Sequence, residues 1–162
     1  MIPRACAVPR DAQLYRYVEQ DGAYTDCFEV MHPMEADLSA FISAFYTTWL
    51  FRLERVVLTV SLRRRIRDAD VAALAEGAGQ FAAWTVENRA EGQILLCDLS
   101  GATRSWLAVA PKEGGTTRLL FGSAVVARDG QPLPGLVRAL IPAHRFYSRA
   151  LLRCAEWRLR KG

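Results

Sequence analysis

The residues of this sequence that are best suited to chemistry lie near its C-terminus. His144 and Tyr147 fall on the apolar side of a predicted helix, together with Leu151. Histidine exchanges its proton near neutral pH, so His144 is a candidate acid, base or hydrogen-bond donor to a ligand. Tyr147 is a candidate hydroxyl donor in the same place. The competing interpretation is that both side chains belong to the edge of a packed core.

A second candidate group flanks a predicted hairpin turn. If the turn is a five-residue loop, Asp98 faces Arg104, and Trp106 shares their face of the sheet. An arginine carried inward with Trp106 needs a carboxylate partner or an anionic ligand. The pattern therefore predicts either a cross-strand ion pair or a site in which Arg104 binds a carboxylate or phosphate.

Tryptophans are the third candidate group. Trp49, Trp84 and Trp106 would line a cavity beside Phe41 and Phe45 if their elements pack together. Aromatic side chains at helix and strand spacing are also what an ordinary core contains, and that alternative stays open.

Known catalytic and metal-binding motifs are missing from the chain. It contains no GxGxxG, P-loop, HExxH or GxSxG pattern, and only two histidines. We therefore expect no metal and no cofactor. The four cysteines (Cys6, Cys27, Cys97, Cys154) lie far apart in sequence, and the N-terminus has no apolar signal core. Both observations favour a cytoplasmic protein with free thiols.

The charge of the chain is mildly positive, with a formal net charge of +4. The arginines at 63–65 and 67, and those on one side of the last helix, are predicted to be solvated surface. A specific nucleic-acid site is not expected, because aromatic residues are not interleaved with these arginines. The most apolar stretch, Leu38 to Phe51, is shorter than the roughly 20 residues of a membrane span, so it is interpreted as a buried helix.

The order of predicted elements is that of one α+β domain. A length of 162 residues fits a single domain over 1–162, with a lead-in segment at 1–22. A strand at 24–30 is followed by a helix that Asp37 caps, and by a short helix ending before Gly77. Period-two patterns predict strands at 81–88, 93–99, 103–110 and 117–127, with short loops typical of an antiparallel meander. Residues 56–62 fit a helix or a strand, and the helix is favoured.

The last helix, 136–160, has the clearest pattern. Its predicted apolar side carries Leu136, Leu140, Ala143, His144, Tyr147, Leu151, Cys154 and Ala155, and its polar side carries Arg138, Arg145, Arg149, Arg153, Glu156 and Arg160. Pro142 is expected to kink this helix or to start a second segment. A sheet with one apolar face must be covered, so we expect this helix to pack across it.

Three stretches carry a family resemblance: Tyr24 to Phe28, Gly101 to Leu107, and His144 to Leu152. Over residues 24–158 the chain resembles an uncharacterised bacterial branch of the START, polyketide-cyclase and Bet v 1-like (SRPBCC) superfamily. This resemblance implies a helix-grip fold, with a curved antiparallel sheet around a long C-terminal helix and an apolar ligand between them. Superfamily members usually have six or seven strands, whereas five are clear in this sequence.

Three functions follow as expectations. The first is a binding domain for a small apolar or amphipathic molecule, with Arg104, Trp106, His144 and Tyr147 at the site, joined by Trp84, Trp49 and Asp98. The second is an enzyme of cyclase or dehydratase type that uses His144 or Tyr147. The third is an interaction module that uses the basic side of the last helix. The oligomeric state is left open.

Overall fold

One antiparallel sheet forms the body of the structure, a computed structural model that describes residues 1–52, 67–81, 83–127 and 133–161. Its strands are β1 (Arg4–Ala5), β2 (Ala23–His32), β3 (Gln80–Phe81), β4 (Trp84–Ala90), β5 (Gln93–Asp98), β6 (Thr103–Lys112) and β7 (Thr116–Val126). They lie in the order β1-β2-β7-β6-β5-β4-β3. The predicted α+β helix-grip class, with a curved sheet and a long C-terminal helix, is confirmed.

The meander from β3 to β7 arises from tight turns between strands of alternating polarity. Gly114 and Gly115 both have left-handed backbones, with φ of 77° and 69°, where a side chain would be strained. The two strands missing from the sequence prediction are both short. β1 lies in the lead-in segment and pairs with β2, and β3 is a separate strand that pairs with β4 inside the stretch predicted as one strand.

The described helices are a short 3-10 helix at Gln13–Tyr17, α1 (Leu38–Tyr46), α2 (Asp68–Glu76) and α3 (Gly135–Lys161), with a further helical turn at 49–52. Asp37 caps α1 as predicted, because its carboxylate accepts a 2.7 Å hydrogen bond from the Ala40 N–H. The prediction of one helical stripe through to Val60 is wrong, because α1 ends at Tyr46. The Thr48 hydroxyl then accepts from the Phe51 N–H and starts a new turn at 49–52. Residues 56–62 lie outside the described residues.

The sheet has two buried faces, and successive side chains along each strand point alternately to one face and to the other. The helix face packs against α1 and α3 and carries Phe28, Leu107 and Phe121. The outer face carries Cys27, Trp106 and Leu120, and is covered by Leu14 and Tyr17 of the 3-10 helix. The lead-in segment is therefore a docked arm that closes the second face of the sheet.

Helix α3 covers the helix face with only part of its length. Leu151 and Ala155 are buried as predicted, and the helix runs without a break through Pro142. Leu136, expected on the buried side, is 73% exposed, because the first turns of α3 project past the sheet. Glu156, expected on the polar side, is 2% exposed, and it contacts His32 at 3.4 Å.

Candidate functional site

A cavity of about 240 Å³ lies between the helix face of the sheet, α1 and α3. Its apolar lining comes from α1 and the turn after it, from β4 and β7, and from α3: Phe45, Phe51, Trp84, Phe121 and Leu151. Its polar lining comes from α1, β6, β7 and α3: Tyr46, Ser105, Ser123, His144, Tyr147 and Ser148. An apolar chamber with a few polar groups gathered on one side is the usual composition of a small-molecule site.

The polar side is built around a buried carboxylate. Asp26 lies on β2 directly opposite Ser123 on β7, and both point to the helix face. The side chain of Asp26 is 3% exposed, and its Oδ1 accepts a 2.5 Å hydrogen bond from the Ser123 hydroxyl. Helix α3 brings His144 to the same place, with Nε2 2.8 Å from Ser123 Oγ and 3.5 Å from Asp26 Oδ2.

The protons of this cluster can be assigned from its donors and acceptors. A carboxylate only accepts, so the single hydroxyl proton of Ser123 is directed to Asp26. The Ser123 oxygen must then accept from His144, which places a proton on Nε2. The Nδ1 atom of His144 has no hydrogen-bond partner among the described residues, and the side chain is 36% exposed, so it remains available to a bound molecule.

This arrangement is not that of a serine nucleophile. In a hydrolytic triad, the serine gives its proton to one ring nitrogen of the histidine and the carboxylate holds the other. Here Ser123 and Asp26 both approach Nε2, and the serine proton is taken by the carboxylate. The cluster can donate or accept a proton through His144, but it does not activate Ser123.

Tyr24 completes the shell around the carboxylate. Its hydroxyl donates to Asp26 Oδ2 at 3.0 Å. Burial, together with the negative charge of Asp26, raises the pKa of Tyr24 to about 12, and Arg145 opposes this only in part. Tyr24 therefore keeps its proton at neutral pH and remains a donor to Asp26.

Four of the sequence-predicted site residues border the cavity together. His144 and Tyr147 approach it from α3, Trp84 from β4 and Arg104 from β6. His144 is hydrogen-bonded to Ser123 and lies 3.4 Å from the Ser148 hydroxyl, so its polar contacts are with side-chain hydroxyls. Tyr147 packs at the edge of the core as well as against the cavity.

The predicted register of the β5–β6 hairpin is wrong by one residue. Cys97, and not Asp98, lies opposite Arg104, and Leu95 lies opposite Trp106. The reason is that Asp98 serves the turn itself, where it accepts hydrogen bonds from the Ser100 hydroxyl and the Thr103 N–H. Burial disfavours the charge of Asp98, but these hydrogen bonds outweigh it and lower its pKa.

This one-residue shift moves Arg104 and Trp106 to the outer face of the sheet. The backbone of Arg104 borders the cavity, but its guanidinium donates to Glu87 and to the Tyr17 hydroxyl, both at 2.9 Å. Trp106 is 2% exposed and donates to the Gln93 side chain at 3.0 Å. The predicted roles of Arg104 and Trp106 in the cavity are therefore not met. The expected ion pair exists, with Glu87 in the place of Asp98.

Trp49 and the arginines of α3 lie on the surface. Trp49 is 64% exposed and does not line the cavity, whereas Phe45 does and Phe41 belongs to the core. Arg138, Arg145, Arg149 and Arg153 are exposed, as the helical pattern predicts. The run at 63–65 lies outside the described residues.

Asp26 and Ser123 are the site residues that the sequence analysis missed. The signal was present in β2, where Asp26 has the same parity as Phe28 and Val30, on an otherwise apolar face. A carboxylate in that position must find buried donors, which is a reason to single it out. Ser123 had no comparable signal, since a serine in a strand is unremarkable without its neighbours.

Two other depressions of the surface are larger than this cavity. These depressions, of about 660 and 810 Å³, are open surface grooves bordered by Glu35, Ala36 and Asp37. Within the described ranges, histidine, cysteine and carboxylate side chains do not gather in groups of three or more that would hold a metal ion. In that same part of the chain, no helix has the length and apolar character needed to cross a bilayer.

Comparisons with known proteins do not assign this chain to a family. No protein-family model matches the chain, and no curated protein is similar to it in sequence. The crystal structure of Ara h 8.0201 matches 87% of this chain and 100% of its own, with 10% identity and a TM-score of 0.39. The strand order, the two helices before the meander and the long final helix are those of a helix-grip-like fold.

Proposed function

We propose that this protein binds a small amphipathic molecule in the cavity between the sheet and α3. The observation that carries the proposal is a chamber with an aromatic lining on one side and the Asp26–Ser123–His144 cluster on the other. The aromatic side favours a ring or a short apolar chain. The cluster favours an oxygen that accepts a hydrogen bond from, or donates one to, His144.

The cavity volume limits the size of the ligand. An apolar cavity of roughly 150 Å³ holds benzene, so a cavity of about 240 Å³ has room for about ten non-hydrogen atoms. A single or fused ring that carries one hydroxyl or carbonyl group satisfies both the volume and the polarity of the walls. A long acyl chain or a steroid does not fit this space.

Isothermal titration calorimetry with 2-naphthol, a fused ring with one hydroxyl, tests the proposal. Ligands of this size reach micromolar dissociation constants when they are well buried. Ser105→Phe places a large ring in the cavity wall and should weaken binding at least about tenfold, because it removes the space. The matched control is Ser39→Phe, since Ser39 is exposed on α1 and does not line the cavity.

Naphthalene, which lacks the hydroxyl, tests the role of the polar side. One hydrogen bond to His144 is expected to favour 2-naphthol over naphthalene by roughly threefold to tenfold. His144→Phe should remove this preference while the variant still binds naphthalene. Equal affinities for both probes in the wild-type protein would refute the role of His144, and no binding of either probe would refute the cavity as a site.

Acid–base catalysis of the cyclase or dehydratase type is the second candidate function. It is favoured by the contact between His144 and a buried carboxylate–serine pair, and by the presence of Tyr147 in the same wall. Arg104 was expected to hold an anionic substrate, but its guanidinium lies on the outer face, where it donates to Glu87 and Tyr17. A substrate for such an enzyme would therefore be neutral or would be paired by His144 itself.

Two further expectations remain predictions. Membership of the uncharacterised bacterial branch depends on the three sequence stretches alone, and cytoplasmic location depends on the spacing of the cysteines. The interaction module is supported only by the exposed arginines of α3, and a salt-sensitive affinity for polyanions would be its sign.

A further inference from the structure

Two of the four cysteines, distant in sequence, are neighbours in the fold. β1 and β2 pair with Arg4 opposite Glu29 and Ala5 opposite Phe28. The next step in this register brings Cys6 opposite Cys27, and the Cys6 N–H donates to the Cys27 carbonyl at 3.0 Å. The two Sγ atoms are 3.4 Å apart.

We propose that Cys6 and Cys27 form a reversible disulfide that fastens the lead-in arm to the sheet. Directly opposite residues of an antiparallel pair have Cα atoms about 5.5 Å apart at a hydrogen-bonded position, which is within the usual range for disulfides. Closing the sulfurs from 3.4 Å to a bond of about 2.05 Å needs only small side-chain rotations.

The two thiols differ in exposure and in pKa, so they have different roles in the reaction. Cys6 is partly exposed, and its pKa is lowered by the hydrogen bond with Cys27, which outweighs its burial. Cys27 is buried, and the same hydrogen bond together with burial raises its pKa. Cys97 and Cys154 have pKa values raised by burial and lie on β5 and α3, away from this pair. Cys6 is thus the thiol that an oxidant reaches first.

Hydrogen peroxide is the oxidant we assign to this reaction. The Cys6 thiolate attacks one peroxide oxygen, the O–O bond breaks, and the products are a sulfenic acid and, after protonation, water. The Cys27 sulfur then displaces the hydroxyl from the sulfenic acid, and a second water leaves as the S–S bond forms. In total, two thiols lose two electrons and two protons, and one peroxide is reduced to two waters.

The Cys6–Cys27 disulfide affects the packing on the outer face of the sheet. β1 is only two residues long, and the arm beyond it places Leu14 and Tyr17 over Trp106. A bond between Cys6 and Cys27 ties the start of the arm to a central strand pair and limits its freedom in the unfolded chain. The melting temperature of the oxidised protein should therefore exceed that of the reduced protein by roughly 5–15 °C.

Peptide mapping after peroxide treatment, without a reducing agent, tests the proposal. The double variant Cys97→Ser/Cys154→Ser keeps the pair and should give one intramolecular Cys6–Cys27 peptide, a loss of two hydrogens in mass and the higher melting temperature, all reversed by dithiothreitol. Cys6→Ser should give no disulfide and no rise in melting temperature. Separate Cys6 and Cys27 peptides in the folded, peroxide-treated double variant would overturn the proposal, as would a crosslink that leaves the melting temperature unchanged.

Discussion

Ser123 connects Asp26 to His144, so its hydroxyl is the most informative atom group to remove. Ser123→Ala deletes the 2.5 Å hydrogen bond to Asp26 and the 2.8 Å contact with His144. A hydrogen bond to a charged group contributes about 1.5–3 kcal/mol and an ordinary one about 0.5–1.5 kcal/mol. Tyr24 remains as a donor to the carboxylate, so the expected loss in the free energy of unfolding is about 2–4 kcal/mol.

Urea unfolding at pH 7 measures this loss, and a fall in melting temperature of roughly 5–15 °C should accompany it. Ser148→Ala is the matched control, because this serine is equally buried but lies 3.4 Å from the His144 ring and does not contact Asp26. In an Asp26→Asn background, Ser123→Ala should cost clearly less, since no charge is then left underpaired. A Ser123→Ala protein within about 0.5 kcal/mol of wild type would refute the assigned hydrogen-bond network.

Two further predictions concern the outer face and the β5–β6 turn. Gly122→Ala places a Cβ 2.6 Å from a methyl of Leu14, so urea unfolding should show a loss of about 1–3 kcal/mol in the free energy of unfolding. Gly79→Ala is the control and should change this free energy little, because the added carbon meets nothing within 4 Å. Equal effects of the two variants would contradict the packing of Leu14 on the sheet. Because the folded protein lowers the pKa of Asp98, the ionised carboxylate stabilises the fold at pH values above the ordinary pKa of an aspartate. This stabilisation is lost as the pH falls through the lower pKa of the folded state, so Asp98→Asn should reduce the drop in urea midpoint between pH 6 and about pH 2. An unchanged drop would contradict the role of Asp98 in the turn.

The fold was predictable from the sequence because its signals are local. The capping carboxylate of Asp37, the glycine turns and the period-two stretches each act within a few residues, and each has the predicted effect in the structure. The end of α1 was not predictable in the same way. The apolar stripe continues in phase past Tyr46, but the hydroxyls of Thr47 and Thr48 bond to the carbonyls of Ser43 and Phe45 and end the helix there.

The site was predictable only in part, because it depends on register and on contacts between distant elements. His144 was predicted because it lies on the apolar side of the last helix, and that pattern can be read from the sequence directly. Arg104 and Trp106 were assigned to the wrong face because one residue of slip in a turn reverses every side chain of the strand. Ser123 belongs to the site because it donates a hydrogen bond to Asp26, 97 residues earlier, and no local sequence pattern connects the two residues.

A crystal structure of the protein soaked with 2-naphthol tests the central claim most directly. We predict that the fused ring lies between Trp84 and Phe121, within the cavity that α3 closes, with its oxygen at hydrogen-bond distance from His144. An empty or collapsed cavity at a saturating concentration of the probe, or a ring bound only elsewhere on the surface, would contradict the assignment of this chamber as a binding site.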